Sequence, residues 1–191
     1  MVEWLAQFDA CEVCSSFAGE LFTVEESFGL IPEHPNCFTS PEIPIYTSKG
    51  WKPIGDVEVD DLVLTHKGRF RKVTQLHRAE KQLPDVVTIK AGSETCYTTL
   101  SGITSNHPVL VNGKWAEAGK AEVGQKICMM NDFPKCKFYD FPVKEVTVKK
   151  QEKPITTYNL SVDEDESYVA KGFVVHNCLC SWAPIVGPDL L

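Results

Sequence analysis

Apolar side chains between residues 40 and 177 fall in short runs and follow no helical stripe. The runs cover residues 43–47, 62–65, 70–76, 86–90, 96–100, 108–111, 143–148, 155–162 and 173–175. They are rich in Val, Ile, Thr, Tyr and Phe, whose branched or flat side chains suit a pleated surface, so each predicts a strand. Lys49-Gly50, Lys67-Gly68, Asn112-Gly113 and Lys171-Gly172 punctuate them. Asn-Gly between two apolar runs predicts a tight hairpin, because both residues tolerate positive φ. The pattern predicts an all-β domain.

The chain also repeats itself. At a shift of 115 − 51 = 64 residues, Pro44 falls on Pro108, Trp51 on Trp115, Gly55 on Gly119, Glu58 on Glu122 and Val59 on Val123. Ile45 then meets Val109, and Val63 meets Ile127. A duplicated strand–turn–strand unit implies a fold with pseudo-two-fold symmetry. Residues 1–36 and 178–191 differ in character. Glu3-Trp4-Leu5 could open a strand or a short helix, Cys11 and Cys14 form a Cys-x-x-Cys pair, and the prolines of 32–36 favour extended chain. Neither flank could build a core alone.

Bulk composition narrows the function classes. The chain has 191 residues, 43% apolar and 24% charged, which is ordinary for a globular protein. A net charge of −7 argues against gripping nucleic acid through its phosphates. No apolar run is long enough to span a membrane as a helix. No secretory pattern follows Met1, so eight cysteines are expected to stay reduced in a cytoplasm. Cys96 and Cys128 read as small core residues, and the acidic run of residues 163–166 as a solvated turn.

The chemistry lies where those strands end. Asn36-Cys37 precedes them, and His176-Asn177-Cys178 follows them. A cysteine thiolate can attack the carbonyl of the peptide bond before it. An asparagine side-chain amide can attack its own backbone carbonyl, and an adjacent histidine can move the protons. These groups together could excise residues 37–177 and rejoin the flanks.

The intervening blocks strengthen that reading. They are Pro44-Ile45-Tyr46-Thr47, Gly50-Trp51-Lys52-Pro53-Ile54-Gly55-Asp56, Thr104-Ser105-Asn106-His107-Pro108, and Tyr158-Asn159-Leu160-Ser161-Val162 leading to Gly172-Phe173-Val174-Val175-His176-Asn177-Cys178. In this order the chain resembles an intein of minimal size, 177 − 37 + 1 = 141 residues, without room for a homing endonuclease. The resemblance implies a flattened β horseshoe, the Hint fold, acting in cis as a monomer. It needs no cofactor, partner, nucleic acid or membrane for splicing. It also implies roles: Cys37 as first nucleophile, Thr104 and His107 at the upstream bond, Cys178 as second nucleophile, Asn177 as the cyclising residue and His176 as its proton partner.

Two positions depart from the family's usual pattern. Asn159 stands where an aspartate is common, and an amide cannot act as a base at neutral pH. Glu166 stands near a position often held by histidine. The flanks carry a second resemblance. Joined, they read His34-Pro35-Asn36-Cys178-Leu179-Cys180 after Cys11 and Cys14, similar to the end of phage Mu F-like head-morphogenesis proteins, with Leu179 in place of an arginine. Cys11, Cys14, Cys178, Cys180 and His34 would suit a structural zinc in the ligated product. The expected organisation is therefore upstream flank 1–36, splicing domain 37–177 and downstream flank 178–191. The alternatives are an intein-like domain that mainly cleaves itself, and a zinc-binding module carrying an inert β insertion.

Overall fold

A computed structural model describes residues 2–6, 18–23, 37–131, 135–177 and 180–184. The chain divides into two compact units, one of residues 1–34 and 178–191, the other of residues 35–177. In the first, strand β1 (Val2–Ala6) pairs antiparallel with β2 (Leu21–Phe22) and with β16 (Cys180–Pro184). Glu3-Trp4-Leu5 is thus strand. The zinc expectation rests on Cys11, Cys14, His34 and Cys178, which lie outside the described residues, and on Cys180, described only as backbone in β16.

The second unit is all-β, and its described residues contain no α-helix. The strands are β3 (Pro44–Thr47), β4 (Gly50–Pro53), β5 (Leu62–Leu64), β6 (Phe70–Gln82), β7 (Asp85–Gly92) and β8 (Tyr97–Thr104). There follow β9 (Pro108–Val111), β10 (Lys114–Glu117), β11 (Lys126–Asn131), β12 (Lys137–Lys150), β13 (Ile155–Val162), β14 (Ser167–Ala170) and β15 (Phe173–His176). Along one sheet they run β13-β6-β5-β3-β14-β15-β9-β11-β12-β7-β8, with β4 and β10 branching from β3 and β9.

The repeat is present down to its hydrogen bonds. β3 and β4 correspond to β9 and β10, each pair followed by a single 3-10 turn, Ile54–Asp56 or Ala118–Lys120. Ile54 N–H donates to the Ile43 carbonyl and Ala118 N–H to the His107 carbonyl, both at 2.8 Å. Gly55 N–H donates to Pro41 at 2.9 Å and Gly119 N–H to Ser105 at 2.7 Å. Both glycines are needed for close approach: an added Cβ would lie 2.7 Å from Pro41 Cβ in one half and 2.9 Å from Ser105 Cβ in the other. Asn112 (φ 50°) and Gly113 (φ 73°) make the predicted hairpin between β9 and β10.

β14 and β15 lie at the centre and are buried on both faces. Tyr168, Ala170, Phe173 and Val175 join the main core with Phe38, Ile103, Val109 and Leu160. Val169 and Val174 face the other way, into a smaller core with Tyr46 and Leu64. One expectation fails here. Cys96 is exposed, on the β7–β8 turn, where its N–H bonds to Ser93 Oγ. Cys128 is partly buried and packs against the smaller core, and desolvation pushes its thiol up to about 11.

Candidate active site

The two ends of the sheet path meet on the segment that carries Cys37. Phe38 forms isolated bridges to Ile103 of β8 and to Tyr158 of β13. Phe38 N–H donates to the Tyr158 carbonyl and Tyr158 N–H donates back, both at 2.8 Å. On the other side Thr39 N–H donates to Gly102 at 2.8 Å and Thr104 N–H to the Cys37 carbonyl at 2.9 Å. Gly102 (φ 79°) is required at this seam, since a Cβ there would lie 2.8 Å from Thr39 Oγ1. The Phe38 ring is fully buried in the main core.

That stitching positions the candidate upstream groups. The Cys37 amide N–H, which would be the leaving nitrogen were the Asn36–Cys37 bond cut, donates to Thr104 Oγ1 at 3.0 Å. Cys37 and Thr104 are both buried. Thr104 ends β8, and a short turn brings His107 back, with His107 N–H donating to the Thr104 carbonyl at 3.0 Å. The His107 imidazole has no solvent exposure and lies 5.1 Å, ring to ring, from Phe38. Asn36 itself lies outside the described residues.

The candidate downstream groups sit at the end of β15. His176 Nδ1 is 3.1 Å from the Asn177 carbonyl oxygen. A carbonyl oxygen only accepts, so Nδ1 must carry the proton and polarise the bond that Asn177 would attack. Trp115 packs edge-on against the His176 ring at 4.8 Å and 88°. Asn177 N–H donates to the Glu166 carbonyl at 2.8 Å, and Asn177 Oδ1 is buried without a hydrogen-bond partner among the described residues. Glu166 Oε2 lies 4.0 Å from His176 Nε2. Cys178 lies outside the described residues.

The halves converge. Val175 of β15 pairs antiparallel with Val109 of β9. Carried two residues further, that register runs to Asn177 on one strand and His107 on the other. Phe38 touches both sides, since its ring is 6.4 Å from Tyr168, whose strand pairs with β15. Asn159 lies in the same buried layer and accepts the Tyr168 hydroxyl proton at 2.5 Å and the Leu160 N–H at 2.7 Å. It therefore serves as an acceptor in a fixed network.

Three features escaped the sequence reading. Trp115 is visible in the sequence only as a repeat position, Tyr168 only as a member of the last intein-like block, and His66, edge-on to Trp115 at 5.6 Å, not at all. The acidic run is also more than a solvated turn. The Asp165 side chain is fully buried and ion-paired.

A seam-closed β domain with a thiol at one end and a His–Asn pair at the other defines a Hint-type self-processing domain, a class whose members act autocatalytically on their own backbone. The chain belongs to the pretoxin HINT domain family, whose model matches residues 44–178. Among solved structures it is similar to a mutant of an Ssp DnaB mini-intein variant, at 19% identity and a TM-score of 0.63, covering 76% of this chain and 94% of that one. It is also similar to the DnaB intein of Synechocystis sp. PCC 6803 (18%, TM-score 0.60, covering 73% and 97%) and to a bacterial intein-like domain from Clostridium thermocellum (22%, TM-score 0.58, covering 74% and 99%). At such identities the likeness is one of fold. A stretch of 78 residues is 35% identical to iron-sulfur cluster assembly SufBD family proteins of Mycobacterium tuberculosis and Mycobacterium bovis. It covers 41% of this chain, which spans only 8% of the length of those proteins.

Proposed function

We propose that the chain is a cis-splicing precursor that removes residues 37–177 and joins Asn36 to Cys178. The observation that carries this reading is the His176 Nδ1 contact on the Asn177 carbonyl, 3.1 Å long and buried. In the first step Cys37 Sγ bonds to the Asn36 carbonyl carbon, the carbon–nitrogen bond breaks, and the Cys37 nitrogen takes up a proton. Thr104 Oγ1 holds that nitrogen, and His107 is the nearby group able to supply the proton. Cys178 Sγ then takes the acyl group and releases the Cys37 thiol. Next, Asn177 Nδ2 bonds to its own carbonyl carbon, the bond to the Cys178 nitrogen breaks, and a succinimide leaves with the excised domain. The His176 N–H meets the charge that develops on the carbonyl oxygen. The free Cys178 amine then displaces its own thioester to form an ordinary peptide.

The flanking unit is proposed to belong to a head-morphogenesis-like protein, with the zinc ligands named above used only after ligation. A second reading draws on the pretoxin family name: a pretoxin's domain would serve to release a neighbouring segment, so cleavage without ligation would suffice. Mass spectrometry of the freshly expressed chain separates them. Splicing yields pieces of 141 and 36 + 14 = 50 residues. Cleavage yields unjoined flanks. Persistence of intact chain under reductant, identical to the Cys37→Ala, Asn177→Ala double variant, would overturn both.

A further inference from the structure

The turn between β5 and β6, residues 65–69, grips the turn before β14, and most of its grip falls on one carboxylate. Thr65 Oγ1 donates to Asp165 Oδ2 at 2.7 Å, and Arg69 Nε donates to the same oxygen at 2.8 Å. Arg69 Nη2 at 2.5 Å and Lys67 Nζ at 2.9 Å hold Oδ1. The Asp165 side chain has no solvent exposure, whereas Glu164 beside it is half exposed and meets Arg69 and Arg71 at the surface. Removing a carboxylate from water is costly unless its lone pairs are met, and here four donors meet them. The Arg69 guanidinium, first among these, holds the Asp165 carboxyl well below the usual carboxylate range, so the clamp stays charged.

Next to the clamp the backbone is in an unfavourable conformation. Glu164 (φ 57°) and Glu166 (φ 50°) both adopt left-handed geometry without being glycine. A turn with two such residues persists only if its surroundings hold it. The same turn presents the groups that face the downstream bond. The Glu166 carbonyl holds the Asn177 N–H, and the Glu166 carboxylate lies by His176 Nε2. Ser167 pairs with His176 across β14 and β15, and its Oγ is 2.6 Å from His66 Nδ1 on the gripping turn.

We infer that Asp165 is a positioning residue for the asparagine step. By anchoring its turn to Thr65, Lys67 and Arg69, it sets Glu166 where it fixes the Asn177 amide and flanks His176. Asp165 touches none of the reacting atoms. The upstream step at Cys37 does not depend on it, because Cys37 is held by Thr104 of β8 and the adjoining Phe38 by β13.

The inference rests on the splicing reading, so the two halves are tested separately. Cys37→Ala protein reports cleavage after Asn177, and Asn177→Ala protein reports thiol-induced cleavage before Cys37. Asp165→Asn is expected to slow the first by about 10-fold or more, since small misplacements of a reacting group cost that much. It should leave the second within about 2-fold, as a loss confined to one step must. Glu164→Gln, on the same turn, is expected to change neither. Amide hydrogen exchange at Asn177 should quicken in Asp165→Asn while that of Val109 holds. Should Asp165→Asn unfold the chain, Thr65→Ala removes a single donor and is expected to give the same one-sided loss. Equal slowing of both halves, or of neither, would overturn the assignment. If the Cys37→Ala parent itself never cleaves, the splicing reading fails, and unchanged Asn177 exchange in Asp165→Asn would then refute the clamp independently.

Discussion

The two halves of the domain share a scaffold and divide the chemistry unequally. Ser40 and Ile43 of the first half correspond to Thr104 and His107 of the second (104 − 64 = 40; 107 − 64 = 43). The carbonyls of Ile43 and His107 accept equivalent bonds, at 2.8 Å each, yet one side chain is a core aliphatic and the other a buried imidazole. Trp51 and Trp115 also correspond. Trp51 covers Tyr46 edge-on at 4.9 Å and is 46% exposed, while Trp115 is wedged between His66 and His176. What the repeat retains is geometry: the two close-packed glycines, the 3-10 turns and the hairpins. The candidate catalytic side chains Thr104 and His107 sit on one copy only, at positions where the backbone needs nothing in particular.

The sharpest way to break this comparison is to swap function for packing at its most divergent pair. His107→Ala is expected to slow thiol-induced cleavage before Cys37 by roughly 10²–10⁴-fold, the usual worth of a positioned proton donor. Ile43→Ala, at the matching position, should leave that rate within about 2-fold and lower unfolding stability by about 2–5 kcal/mol. Single-turnover kinetics and denaturant titration of both variants check it; a comparable rate loss in the two would mean that the position, and not the imidazole, matters.

The long strands give a second contrast. His77 of β6 is buried, with Nε2 2.7 Å from Ser161 Oγ, and burial holds its imidazole down to about 4. Val73 and Val143 are equivalent by their bonds to Asp61 and Gln125, so His77 corresponds to Thr147 on β12 (147 − 143 = 77 − 73), which is exposed. An unfolded histidine takes its proton near 6.5, so between pH 6.5 and 4 the unfolded state binds more protons. The stability His77 contributes is whole above pH 6.5 and falls as pH drops to 4, by on the order of 3 kcal/mol. His77→Gln should flatten that slope in pH-dependent unfolding, and Thr147→His should add none. The Asp165 contribution disappears only below about pH 4, the unfolded carboxylate range, so the two windows are separable.

The tryptophans should show the smallest effect. Losing one aromatic contact of about 0.5–1.5 kcal/mol predicts up to about a 10-fold slower cleavage after Asn177 in Trp115→Ala. Trp51→Ala should stay within about 2-fold of the parent in the same Cys37→Ala background, since the contact it loses faces no reacting group. Equal losses in the two would show that Trp115 supports the fold and not His176.

Much of this was legible in the residues. The repeat, the Asn112-Gly113 hairpin and nine strand cores follow from composition and turn chemistry. β4, β10 and β11 did not, because their residues include at most one β-branched side chain each, Ile127 in β11. β14 is buried at every position, so it shows no alternation. β6 and β12 extend well beyond their apolar cores through Lys, Arg and Glu, since pairing with β13 and β7 carries them on. At the site, Cys37, Thr104, His107, His176 and Asn177 were marked by motif. Asp165 was misread because its partners stand about a hundred residues away, and nothing local distinguishes an acid held by distant cations from one facing water.

Phe38 and Thr39 bear on solubility as well. Strand margins left open are templates for pairing with other chains, and at the two ends of the sheet path, β8 and β13, the two residues after Cys37 take up part of each margin. Whatever becomes of the bond before Cys37, those residues stay with the domain. The hem across those two ends therefore leaves with it, and a domain cut free in this way carries part of its own protection against aggregation.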